Sequence, residues 1–204
     1  KITALKLEDI NIDIQILGEG GHIVYNLPNT IGIIVKNQFQ QGLKTIKGQI
    51  LNGEKKVLSD FVLNDVGIAK TVFLPKPGVR YFVTLNLNGK TIQQEIKDIK
   101  SNGMTLNLVE LDSKILIKLN GSPLFLKKIK NQSFKIGINN GGELKISQFT
   151  LNKTGEAIIS FKKKDLFTGI NIVTVFTEDN KPFLERLYFN FNGIKRLKFG
   201  DTSA

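Results

Sequence analysis

With 204 residues, 41% of them hydrophobic, the chain can build one large packed domain or two small ones and is too apolar to be disordered. It has no cysteine, which excludes disulfide staples, thiolate metal sites and cysteine nucleophiles. The formal charge of +11 would suit an acidic partner, but it is mostly Lys spread along the chain. Arg occurs only at Arg80, Arg186 and Arg196 and the aromatics lie within apolar alternation, so a nucleic-acid partner is not expected.

Apolar and polar residues alternate from end to end, the period of half-buried strands. In chain order, strands are expected at early segments such as 10–17 (INIDIQIL), 31–35, 45–51, 71–74 and 80–87. Turn residues divide them: Gly18 to Gly21, Asn26 to Asn29, Asn52-Gly53, Asp65 to Gly67, Pro75 to Gly78 and Asn88-Gly89. A polar seam follows at 98–103 (DIKSNG), and the rhythm restarts with strands at 104–109, 115–119, 134–138, 144–151, 157–161, 172–176 and 184–191. Isoleucine, leucine, valine and phenylalanine dominate the apolar residues, and all but leucine are stiff strand formers that suit a pleated surface. No helical stripe of convincing length is visible. About seven short strands per half, spaced roughly 8–12 residues apart, predict an all-β fold of two tandem immunoglobulin-like sandwiches, 1–100 and 101–204.

The segments 13–25 (DIQILGEGGHIVY) and 26–36 (NLPNTIGIIVK) carry more than generic strand grammar. They resemble the macroglobulin-like domains of Bacteroidetes envelope proteins, where a strand leads into a Pro-Glu-Gly-Gly turn and then an apolar strand. Gly18 stands at the proline position, and Glu19, Gly20 and Gly21 match. The order continues through Gly48, Gly53, Gly67 and the corner from Pro75 to Tyr81, and the segment 166–189 is similar to the family's closing element. The resemblance implies macroglobulin-like sandwiches in a longer exported protein of the periplasm, outer membrane or cell surface. It implies no thioester, because that group needs a cysteine.

No catalytic constellation is visible, so the chain is not expected to be an enzyme or to hold a metal or cofactor. His22, the single histidine, reads as a polar residue flanking a turn. Glu19 is expected to accept hydrogen bonds from turn amides, with Gly20 and Gly21 supplying positive φ. Glu185 and Arg186 point to opposite faces of a strand, with Glu185 beside Leu187, Phe189 and Phe191. A carboxylate in that company would need a partner, which suggests a polar anchor where the sandwiches meet. Two lysine clusters, Lys127, Lys128 and Lys130, and Lys162, Lys163 and Lys164, are expected near strand ends, either solvated or joined in one basic patch.

The chain is therefore expected to be a non-catalytic spacer or protein-interaction module, with an envelope protein or further domains of its own chain as partner. The alternative is a module binding carbohydrate or lipopolysaccharide, an acidic glycan being the ligand and Tyr25, Tyr81, Phe82 and Tyr188 the aromatic candidates. No run approaches the roughly 18 apolar residues of a membrane span, and no basic-then-apolar leader opens the chain. Lys1 in place of Met points to a processed or truncated piece of a longer protein, and 194–199 (IKRLKF) is expected to be a last edge strand.

Overall fold

Alternating burial converts the predicted runs into strands: β2 (Asn29–Lys36) buries Ile31, Ile33 and Val35, and β9 (Lys114–Gly121) buries Ile115, Ile117 and Leu119. Each such side chain contributes about 1.5–3 kcal/mol relative to an exposed one. The computed structural model describes residues 11–129 and 132–194. The predicted strand at 194–199 and Lys130 therefore fall outside the described residues, Ile194 excepted, as does the start of the first predicted strand.

The first half contains β1 (Asp13–Gly18), β2, β3 (Lys47–Asn52), β4 (Val57–Val62), β5 (Ile68–Phe73), β6 (Tyr81–Leu87) and β7 (Lys90–Glu95). They form two antiparallel sheets, β1-β2-β5 and β4-β3-β6-β7. The second half contains β8 (Met104–Glu110), β9, β10 (Phe134–Asn139), β11 (Leu144–Phe149), β12 (Glu156–Lys162), β13 (Gly169–Phe176) and β14 (Pro182–Asn190). Its sheets are β8-β9-β12 and β11-β10-β13-β14. Strand for strand the two orders are the same: first, second and fifth in one sheet, fourth, third, sixth and seventh in the other. This is the tandem immunoglobulin-like arrangement that the spacing of strands and turns predicts.

Two separate cores result. One gathers Ile31, Ile33, Val35, Ile50, Val83 and Leu85, and the other Ile115, Ile117, Ile136, Ile138, Val173 and Val175. Between them, Lys100 is strapped to the first half: its N–H donates to Ile23 O at 2.8 Å and its carbonyl accepts from Tyr25 N at 2.9 Å. Gly103 belongs to the second, its carbonyl accepting from Ser122 N at 2.8 Å.

Among the described residues the structure adds a single 3-10 turn at Lys163–Asp165 and one α-helix that period alone does not reveal, α1 (Pro123–Ile129), between β9 and β10. Its start follows familiar chemistry. Ser122 Oγ accepts from Phe125 N at 3.3 Å, and Pro123 opens the first turn, where a missing N–H costs nothing. Phe125 anchors it in the second core.

Candidate functional site

The loop from β1 to β2 leaves the first sandwich and seats itself against the second. Its shape is set by backbone: Gly21 N donates to Gly18 O at 2.9 Å and Glu19 N to Thr30 O at 2.8 Å. The Glu19 carboxylate therefore does not bond turn amides, as expected from sequence, but reaches across the junction. Only 5% of its side chain is exposed, and it accepts from Asn107 Nδ2 at 2.9 Å, Arg186 Nε at 3.1 Å and Leu108 N at 3.3 Å. Lys70 of the first sandwich adds an ion pair at 3.3 Å. A carboxylate so enclosed is stable only because its charge is matched and its lone pairs are occupied.

Gly20 makes the close approach. Its φ is +85°, and a Cβ there would lie 2.8 Å from the Leu106 Cβ of β8. Its carbonyl accepts from Glu185 N of β14 at 3.3 Å. Glu19 and Gly20 thus cap neighbouring edges of the second sandwich, β8 through Leu108 and β14 through Glu185. Gly21 also has positive φ, +95°, and a Cβ there would have no heavy atom within 4 Å.

The expected anchor at Glu185 shifts by one residue. Glu185 does share a face with Leu187, Phe189 and Phe191, but that face is exposed, and the carboxylate meets Thr174 Oγ1 at 3.4 Å. Arg186, on the opposite face, is the residue that reaches Glu19. An open groove of about 470 Å³ lies at the same junction, with Leu17, Gly32, Ile34, Ile68, Lys70, Arg186 and Leu187 among its lining. Asn107, Thr30 and Lys70 complete the junction and were not singled out in the sequence. The one signal for Asn107 is a lone amide within the apolar run MTLNLVE.

His22 is half-buried and packs on Phe183 of the second sandwich, ring centroids 5.6 Å apart. Burial first, and then the nearby Lys100 charge, hold its pKa below the usual histidine value. Among the described residues, no cluster of three or more His, Asp or Glu is placed to hold a metal ion.

The lysines do not form one patch. Lys127 and Lys128 sit on the exposed side of α1, which follows the end of β9, whereas Lys162 is registered against Lys114 at its start. The length of β9 separates them, about 23 Å at strand rise. Lys163 is committed to Glu110 at 2.6 Å, and this hydrogen bond holds the Glu110 carboxyl below its ordinary range. Tyr188 O–H also donates to Glu110, at 3.0 Å, and burial pushes the Tyr188 pKa up to about 12. Lys162, Lys163 and Lys164 line a shallow concavity with Lys114, Asp112 and Phe191. Tyr81 and Tyr188 are buried and Tyr25 and Phe82 half-buried, so these rings do not line up as an exposed sugar platform.

The fold and the junction define a class: two immunoglobulin-like sandwiches in tandem, clasped by a loop of the first. No family model and no curated protein matches the chain. Among solved structures, it is similar to a tetra-tandem repeat from the extending region of a large adhesion protein, at 9% identity, 86% coverage of this chain and 48% of that one, TM-score 0.30. The native alpha-2-macroglobulin of E. coli matches at 10% identity over 90% of this chain and 14% of its own, TM-score 0.32. The chicken interferon gamma receptor alpha chain matches at 10% identity over 89% and 99%, TM-score 0.30. The chain thus spans less than half of the adhesion repeat and a small part of the macroglobulin. TM-scores this low carry no weight for role or partner, and the fold assignment rests on strand order and the two cores.

Proposed function

We propose that the chain is a non-catalytic spacer and protein-interaction module of a larger exported bacterial cell-envelope protein, with its two sandwiches divided near residue 100. The envelope setting, and the Bacteroidetes type in particular, is supported by the turn grammar around Glu19-Gly20-Gly21 and Pro75 to Tyr81. The spacer reading is carried by one observation: a buried carboxylate from the first sandwich is met by donors from the second. A flexible tether needs no such contact, whereas a spacer that transmits position does. Open strand edges offer backbone N–H and C=O groups to a partner by strand addition, and the partner is an envelope protein or a further domain of the same chain.

Because the chain has no cysteine, Lys90→Cys and Lys153→Cys would carry two unambiguous spin labels, one on each sandwich. Pulsed electron spin resonance should give one narrow distance, unchanged in about 1 M salt, because enclosed pairs are screened far less than exposed ones. Glu19→Ala should broaden it while each sandwich keeps its own amide spectrum. A broad distribution in the parent chain would overturn the spacer reading.

A further inference from the structure

Since the two sandwiches share one strand order, their equivalent faces can be compared. On the first, the outward face of β4-β3-β6-β7 has a polar row across its middle, Asp60, Gln49, Thr84 and Gln93, with Gln49 Nε2 donating to Asp60 at 2.9 Å, and its exposed apolar residues, Val57, Leu58 and Val62, are confined to β4. The same face of β11-β10-β13-β14 carries Leu144, Ile146, Ile170, Leu187, Phe189 and Phe191, each 44–67% exposed. Architecture does not require apolar residues across the whole sheet, because in the first sandwich the middle of the face is polar. Exposed apolar surface of such continuity marks a contact.

The charges on this face indicate what covers it. In a chain of net charge +11, the outward strand positions of this face hold one cation and one anion, Lys135 on β10 and Glu185 on β14, either side of β13. Lys135 Nζ donates to Asn180 Oδ1 at 2.6 Å, while Lys114, Lys162, Lys163 and Lys164 lie at the rim beside Phe191. Lys135 is registered with Phe176 and Glu185 with Thr174, two residues apart along β13, or roughly 7 Å. A two-fold axis along β13 would lay β10 of one copy over β14 of another, bringing each Lys135 within a side chain's reach of the opposite Glu185. An acidic partner would find cations only at the rim beside Phe191, whereas the middle of the face is balanced in charge and lets two like-charged chains meet.

We propose that this face is where two copies of the chain pack sheet to sheet about an axis along β13, the sheets about 10 Å apart. The inference rests on reading the chain as an interaction module, but its failure is separable, because the junction distance above is measured on one chain.

Sedimentation velocity of the 204-residue chain over a concentration series, at about 50 mM and about 500 mM salt, tests it. A dimer should form and tighten as salt rises, because screening weakens the repulsion of the +11 chains and leaves the apolar contact intact. Phe189→Glu should weaken it at least about tenfold, because a carboxylate would be buried without a partner. Its fold, at an exposed site, is checked by an unchanged melting curve. Lys135→Glu should weaken it, and Lys135→Glu with Glu185→Lys should restore it. A monomer throughout, a dimer indifferent to Phe189→Glu, or association that weakens with salt would each overturn the proposal.

Discussion

Tyr81 and Asn171 stand on the sixth strand of their respective sandwiches and close the same corner by different chemistry. The Tyr81 hydroxyl accepts from Lys76 N at 2.6 Å, pinning the turn before β6, the tyrosine corner of this architecture. Asn171, fully buried, accepts from Phe167 N at 3.0 Å and donates to Phe167 O at 2.7 Å and Gly169 O at 3.0 Å. Only the first was legible in the sequence, because Pro-x-x-Gly-x-x-Tyr spacing advertises the turn, whereas Asn171 looks like an ordinary polar break in GINIV. Tyr81→Phe should cost about 1 kcal/mol, the net worth of one hydrogen bond. Asn171→Leu strands several buried backbone groups and should cost about 2–3 kcal/mol. Urea midpoints at constant m-value measure both, and equal losses would show that the amide network adds nothing beyond a single bond.

At the scale of elements, legibility followed burial. Strands with one face in a core, such as β2 and β9, display the alternation that makes them readable. β4 buries only Phe61 and β7 is largely polar, so neither carries the period, although Asn88-Gly89 between β6 and β7 marks the hairpin. Both residues have positive φ, 50° and 78°, as a type I′ turn requires. α1 is too short for a helical period and is betrayed only by Ser122-Pro123. The junction was half-legible: the sequence marks Glu19 and its glycines as unusual, but donors far along the chain become neighbours only in the fold. Gly48 shows how an element can depend on an absent side chain, since a Cβ there would collide with the Phe61 ring and Leu85. Gly48→Val should destabilise the first sandwich by about 1–3 kcal/mol through overpacking. Because the cores are separate, amide exchange should rise between β1 and β7 and stay unchanged between β8 and β14. An equal rise in both halves would mean that the sandwiches unfold as one unit.

At the scale of the whole molecule, the junction also holds the chain's one histidine. His22 packs against Phe183, with Lys100 nearby, and burial holds its pKa below the unfolded value of about 6.5. The neutral ring is therefore favoured by docking, and the unfolded or undocked chain binds the extra proton. Its contribution is fully present above about pH 6.5 and is lost as pH falls toward the lowered value in the fold. The carboxyls held below their ordinary range, Glu95, Glu110 and Asp179, lose their contributions only below about pH 4.5, so the two windows do not overlap. Acidification from about pH 7 to 5 should thus loosen the clasp before either core is affected, read as broadening of the label distance between the sandwiches at constant circular dichroism. His22→Gln should abolish that pH step. If the variant broadens over the same range as the parent chain, the proton acts elsewhere and the clasp does not depend on a neutral imidazole.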